Sequence, residues 1–247
     1  MQRKGRYHMG VITIAKKENI NLQEVGNGLK KGIMLPDAFP GIETYKCQLK
    51  AGSRIDPELY NDKIQIFFFT KGTGYVANQH EAFNIKEIAY FIPMQDEEPF
   101  FIQAGTDMEF LHLVVTMNEY DKSEFKKVRV FLPDFNNLST CPRYYEGFKG
   151  PGVKSYTIVE HDNLARISMG VIQGDGPEEV GEHCHDYLHQ WYYGLKDADF
   201  SYTAGGDTVH VEEGDWMCIP KGTPHSSKGN NINYLWFEVK CGEPYDK

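Results

Sequence analysis

His183-Cys184-His185, then His189 and Gln190, then Gly214-Asp215-Trp216-Met217-Cys218-Ile219-Pro220-Lys221-Gly222-Thr223-Pro224-His225: the reading of this chain turns on these residues. Two histidines one residue apart on a strand point to the same face. Imidazole is the commonest metal-ligating side chain, and one of its nitrogens can bind metal while a hydrogen bond holds the other. A third ligand just after the pair, with His225 as a fourth, would close one compact candidate site. Five of the nine histidines fall between His183 and His225, and the fifth of these, His210, has no place in the spacing. Cys184 alternates with the two histidines, so on a strand it faces away from them and is expected as a buried structural thiol.

Outward from that window the chain reads as β structure. Gly and Pro punctuate runs of Ile, Val, Phe and Tyr at about every 8 to 12 residues, the rhythm of a sandwich or barrel. Ile64-Gln65-Ile66-Phe67-Phe68-Phe69 predicts a strand, Lys71-Gly72-Thr73-Gly74-Tyr75 a glycine turn into a second strand, and Glu87-Ile88-Ala89-Tyr90-Phe91-Ile92-Pro93 a third, stopped by its proline. The last of these lines up with the run from Gly214 to Pro220, and Gln65 to Gly72 lines up with Gln190 to Asp197. The chain is therefore expected to hold one β unit twice. The expected boundaries are an N-terminal arm and first unit over 1–125, a connector over 126–154 and a second unit over 155–247. The 131–155 stretch is rich in Pro, Asn and Gly, which is connector chemistry. The 11–14 run is expected to add an edge strand from an arm of about 29 residues. Glu178-Glu179-Val180-Gly181-Glu182 is expected as a solvated turn.

Composition narrows the function classes. The 247 residues, 40% of them hydrophobic, suffice for one large β domain or two small ones. A formal charge of −9 argues against nucleic acid or an anionic membrane surface as partner. No run of about 18 apolar residues predicts a membrane span. The start, Met1 to Arg6, is basic, but the apolar run behind it is short and meets Lys16-Lys17, so a cytoplasmic protein is expected. Five scattered cysteines with no CxxC pair fit reduced thiols.

These residues resemble the cupin superfamily. The first motif of that family has a Gly, a His-x-His pair and, three or four residues on, a Glu or Gln ligand. Here stand Gly176 or Gly181, His183, His185, and His189 or Gln190. The second motif is matched by Gly214, Pro220, Gly222 and His225 at every spacing. The resemblance covers the second half and implies an all-β fold of two double-stranded β-helix (cupin, jelly-roll) barrels in tandem, the first degenerate. It places Glu58, Tyr60, Gln65 and Glu98 where the second unit has His183, His185, Gln190 and His225, so the metal site is expected in the second unit alone. No Glu stands at either permitted position of the third ligand. Imidazole is the stronger donor, so the expected metal set is His183, His185, His189 and His225, with Gln190 the alternative to His189.

The resemblance further implies a divalent transition metal, iron or manganese by family, with nickel or zinc compatible with neutral ligands. It implies an enzyme acting on a small polar molecule, of dioxygenase, isomerase, lyase or aminohydrolase type. The alternative is a non-catalytic ligand-binding or sensing cupin with a structural metal. Tyr187 and Gln190 are the candidate catalytic side chains, Asp186 a candidate orienting acid, and Arg166 a candidate carboxylate binder. Trp191, Tyr192, Tyr193 and Trp216 are candidate pocket walls, and alternation makes Tyr192 accompany Gln190 while Trp191 and Tyr193 accompany His189. A homodimer is expected, the arm capping an exposed strand edge of a neighbour.

Overall fold

The computed structural model describes residues 7–94, 97–128 and 131–247; the basic start at 1–6 lies outside them. In chain order the strands are β1 (Tyr7–Met9), β2 (Ile12–Ala15), β3 (Gln23–Gly26), β4 (Leu29–Met34), β5 (Ile42–Leu49), β6 (Arg54–Ile55), β7 (Lys63–Lys71), β8 (Gly74–Ala77), β9 (Ala82–Ile85), β10 (Ala89–Ile92), β11 (Phe101–Ala104), β12 (Met108–Thr116), β13 (Asp134–Asn137), β14 (Arg143–Tyr144), β15 (Lys154–Leu164), β16 (Ile167–Gln173), β17 (Asp175–His183), β18 (Leu188–Gly194), β19 (Asp199–Ala204), β20 (Asp207–Glu212), β21 (Trp216–Ile219), β22 (His225–Asn231) and β23 (Tyr234–Lys240). A helix, α1 (Glu119–Val128), interrupts them. It opens on Asn118, whose side chain accepts from the Asp121 amide at 2.9 Å while the Asp121 carboxylate accepts from the Asn118 amide at 3.2 Å, a reciprocal cap.

Two units form. The N-terminal unit is Ile20–Cys141; the C-terminal unit is Pro142–Lys247 with the residues up to Asn19. The first carries a sheet ordered β13-β10-β7-β12-β5-β4-β3 and a second ordered β6-β11-β8-β9. The other carries β1-β2-β21-β18-β23-β16-β15-β14 and β17-β22-β19-β20. The run β10-β7-β12-β5 matches β21-β18-β23-β16 strand for strand, and the smaller sheets match likewise, so the repeat seen in sequence is a repeat of topology. Each unit is a pair of packed sheets rather than one closed barrel. One apolar cluster joins Phe67, Phe69, Phe91 and Phe110 of the large N-terminal sheet to Val76, Ile85 and Ile102 of the small one. Another joins Tyr192, Met217 and Tyr234 to Phe200, Tyr202 and Val211. Period-2 sequence explains the exposed strands: in β20 Val209 and Val211 are buried while His210 between them faces out, 3.3 Å from Asp199.

Three local expectations are corrected. The 1–29 arm is not one piece: β2 pairs with β21 of its own chain through Thr13↔Cys218, whereas β3 and β4 join the N-terminal unit. The 126–154 stretch is not only a connector, since β13 pairs with β10 and β14 with β15. Strands this short, set among Pro and Gly, leave no periodic trace. The acids of 178–182 lie on β17, where Glu179 sits opposite Lys228, and not in a turn.

Candidate metal centre

His183 ends β17 and His225 begins β22, and the two are directly paired across the small sheet. Facing residues of an antiparallel pair bring their side chains together, and the two rings lie 4.2 Å apart. His185 follows in the loop out of β17, its ring 5.1 Å from His183 and 5.6 Å from His225. One ring nitrogen from each of the three falls within 4.8 Å of the others. The second motif supplies the loop that holds this arrangement. Pro220 stops β21, Gly222 adopts φ +71°, a conformation costly for other residues, and its amide donates to the His185 carbonyl at 2.9 Å. Thr223 Oγ1 closes the turn on the Pro220 carbonyl at 2.8 Å.

The hydrogen bonds select the tautomers. His183 Nδ1 lies 2.9 Å from the Gly181 carbonyl and His225 Nδ1 2.8 Å from the Thr223 carbonyl. A carbonyl only accepts, so both Nδ1 atoms carry hydrogen and both Nε2 atoms keep a lone pair. His225 is 2% exposed, and among the described residues its buried Nε2 meets no hydrogen-bond partner. Burial first, then the neighbouring imidazoles, pushes His185 down to about 4 and His225 down to about 3; burial also lowers His183. Three imidazoles with lowered pKa values, each with one ring nitrogen within 4.8 Å of the others, are a donor set suited to a divalent transition metal, with coordination positions left over. The residues present fit the group.

His189 is not brought to this group. Its Nδ1 accepts from the Lys221 amide at 3.3 Å, and its charged neighbours are Lys221, Asp246 and Arg166. On β18 it alternates with Gln190, and the pairing of β18 with β21 and β23 turns Gln190 toward the histidines. Gln190 and Tyr192 line the cavity of about 270 Å³ in front of His183, His185 and His225. Tyr187, Asp186, Arg166, Trp191, Tyr193 and Trp216 do not line it. Tyr187 is exposed in the turn before β18, edge-on to Tyr245. Trp191 packs on Phe237, and Tyr193 on Trp216. Cys184 lies past the end of β17 and is exposed, not buried. In the N-terminal unit Glu98 accepts from Asn78 at 2.8 Å and Glu58 from Tyr60 at 3.2 Å.

Sequence reasoning missed Glu238. It lies on β23 between Gln190 of β18 and Ser168 of β16, each directly opposite it. Gln190 Nε2 donates to one carboxylate oxygen at 2.8 Å and Ser168 Oγ to the other at 3.1 Å. Burial raises its carboxyl to about 7, against the opposing pull of those two hydrogen bonds. Its signal was an acid inside the apolar strand Tyr234-Leu235-Trp236-Phe237-Glu238-Val239-Lys240, a position with a desolvation cost. The rest of the wall was also missed. Phe148 stacks on His183 at 4.3 Å, and Trp236 and Tyr234 line the cavity. Lys149 Nζ donates to Tyr144 and Ser155 at 3.0 Å and pairs with Glu146 at 2.6 Å.

No family model matches the chain, and no curated protein sequence does. Solved structures do. A cupin 2 conserved barrel domain protein from Leptotrichia buccalis matches 91% of this chain and 93% of its own length, with TM-score 0.58 and 14% identity. Oxalate decarboxylase of Bacillus subtilis matches 92% of this chain and 76% of its own, with TM-score 0.68 and 13% identity. The chain has the cupin fold. A third match, protein Ylba from E. coli, covers 97% of this chain and 95% of that one at TM-score 0.72 and 11% identity. Cupin geometry explains why His183 and His225, far apart in sequence, meet at the open end of two packed sheets. At these identities the likeness extends to the fold; what a cupin does is argued from its site.

Proposed function

We propose that the C-terminal unit is the catalytic site of a metal-dependent cupin enzyme that acts on a small polar molecule by proton transfer, in an isomerase, lyase or hydrolase type of reaction. One observation carries the reading: three clustered imidazoles on the same cavity as a buried carboxyl group, Glu238. His183, His185 and His225 would hold a divalent cation, iron or manganese by resemblance. When bound, such an ion polarises a substrate oxygen and lowers the pKa of the group it touches.

The chain's own residues do the rest. In metal-free protein burial raises Glu238 to about 7, a range in which one group can both take and return a proton, and a bound cation would lower that value. Gln190 and Ser168 hold that carboxylate by one oxygen each, which fixes its orientation. Phe148, Tyr192, Tyr234 and Trp236 form a largely apolar wall that excludes water and strengthens every charge interaction inside. Lys149 lines the same cavity beside its ion-pair partner Glu146, with Glu160 also in the lining, so the cavity offers charge of both signs to a small polar substrate. The oxalate decarboxylase among the matches is in keeping with such a substrate.

The test begins with protein purified without chelator. Metal analysis is expected to find a divalent transition metal bound, and His183→Ala is expected to lose it. Full metal content in that variant would overturn the site. Glu238→Gln, loaded with metal, is then assayed against small hydroxy, keto and amido acids that the wild type turns over; unchanged turnover would remove Glu238 from the reaction.

A further inference from the structure

β22 carries two buried polar groups on one face. Its first residues alternate between buried and half-buried, so His225 and Ser227 share the inner face. Each is 2% exposed, and both line the cavity in front of the imidazoles. His225 presents its Nε2 to the metal centre; Ser227 has no part in that centre. Among the described residues its buried Oγ makes no hydrogen bond of ordinary geometry.

The neighbours of Ser227 do not satisfy it. Across the small sheet it faces Val180 of β17, which has no polar side chain, and Tyr202 of β19, whose ring packs on Tyr192 at 4.7 Å. The hydroxyl that does come near is the Tyr234 phenol of the other sheet. Two hydroxyls bring two hydrogens and use one between them, so one donor still lacks an acceptor. A buried donor left unmatched costs free energy that alanine at this place would avoid.

The cavity narrows what would meet that donor. Two residues along a strand span about 7 Å, so a ligand held at the imidazoles and at Ser227 has about three or four carbons. Ile172, Val180 and Tyr192 give those carbons apolar surface. Glu146, Glu160 and Glu238 stand on the lining against one lysine, Lys149, which is already paired with Glu146. These acids repel a second carboxylate at the far end and accept an uncharged hydroxyl there.

We propose that Ser227 is a specificity-determining residue of this cavity, binding the terminal hydroxyl of a short hydroxymonocarboxylic acid whose carboxylate lies at His183, His185 and His225. The assignment names the substrate class of the metal site and rests on that reading.

The experiment uses the full chain, loaded with whichever of manganese, iron(II) or zinc it takes up. Calorimetry measures binding of 3-hydroxypropanoate against propanoate, and of 4-hydroxybutanoate against butanoate and succinate. At least one hydroxy acid is expected to bind about tenfold or more tighter than its partner without the hydroxyl, and 4-hydroxybutanoate tighter than succinate. Ser227→Ala is expected to keep its metal and to lose that preference. It is also expected to unfold in urea at no lower a midpoint than wild type, because it removes an unmatched group. A lower midpoint would show the hydroxyl already matched within the fold and would overturn the assignment. Metal uptake without a preference for the hydroxy acids, or a preference that survives in Ser227→Ala, overturns it while leaving the metal centre standing. Uptake of none of the three metals by wild type overturns the metal centre and this assignment together.

Discussion

The two units share a strand order and differ in what they put on it. On β18 and β23 the C-terminal unit sets Gln190 against Glu238; on the corresponding β7 and β12 the N-terminal unit sets Gln65 against His112. Each unit therefore buries an amide hydrogen-bonded to a titratable group, but two residues apart along the matched strand: Glu238 lies opposite Gln190, whereas Gln65 lies opposite Val114 and His112 opposite Phe67. The outcomes are opposite. Glu238 is raised to about 7 and lines the cavity of His183, His185 and His225, while His112 is held well below its ordinary value by burial and by Lys31. Two packed sheets tolerate such a buried polar pair because each member satisfies the other. What the pair does is decided by the loops that deliver His183, His185 and His225 in one unit and Glu58 and Tyr60 in the other.

The sharpest way to break this contrast is to delete one buried histidine from each unit. His225→Ala is expected to remove metal from the protein altogether, measured by elemental analysis after dialysis against the ion. His112→Ala is expected to leave metal content unchanged while lowering stability, since it strands Gln65 and Lys31 in the core. Loss of metal in the second variant would mean that the N-terminal unit also holds an ion.

Next in size is the exchange of the titratable group. Glu238→Gln is expected to slow turnover by about 100- to 10,000-fold with metal retained. It also has a signature in metal-free protein. Because its value is raised from 4.5 to about 7, folded protein holds the proton more tightly than unfolded. Its stabilising contribution is present below the ordinary value and is lost as pH rises through about 7, by roughly 3 kcal/mol at most. The lowered histidines work the other way: their contribution is present above 6.5 and is lost as pH falls toward the values of about 4 and about 3 of His185 and His225. Urea unfolding across pH should show wild type losing stability on both sides of neutrality and Glu238→Gln losing it mainly on the acid side. A wild-type curve flat between about pH 5 and pH 8 would remove the buried-carboxyl argument.

A smaller effect is expected from backbone packing. Gly170 of β16 lies opposite Trp236, and an added Cβ there would collide with both the indole ring and the Tyr156 carbonyl. Gly170→Ala should cost about 1–3 kcal/mol in urea unfolding. It should also weaken substrate binding through Trp236, without changing metal content. Unchanged stability would show that Trp236 moves freely and is a poor wall.

These effects divide along what the residues could say in advance. The clustering of His183, His185 and His225 was legible because its constraints are local: a period of two places His183 with His185, and proline and glycine at fixed spacing make the loop before His225. The repeat was legible because strand rhythm survives when identities do not. Glu238 was not legible in the same way, since its partners Ser168 and Gln190 arrive from distant strands and the row exists only once β16, β23 and β18 lie side by side. Lys31 and His112, on β4 and β12, were hidden for the same reason. Cys184 was judged by its face alone, but it lies in the loop past the end of β17, where no sheet covers it.

The choice between His189 and Gln190 shows the limit most plainly, and it sets the smallest expected effect. Both faces of β18 carry aromatics, so nothing in Leu188-His189-Gln190-Trp191-Tyr192-Tyr193-Gly194 says which face is the cavity. Ligand chemistry favoured the imidazole; pairing with β21 and β23 sends it the other way. His189→Asn is therefore expected to leave metal content intact, and Tyr187→Phe to leave metal and turnover intact. Because side chains alternate, a shift of one residue in the pairing of β18 would exchange every neighbour at once, bringing His189, Trp191 and Tyr193 to the cavity and taking Gln190 and Tyr192 away. Metal loss in His189→Asn would imply that exchange, and with it the separation of Gln190 from Glu238, so this mild substitution tests the register on which the whole site is built.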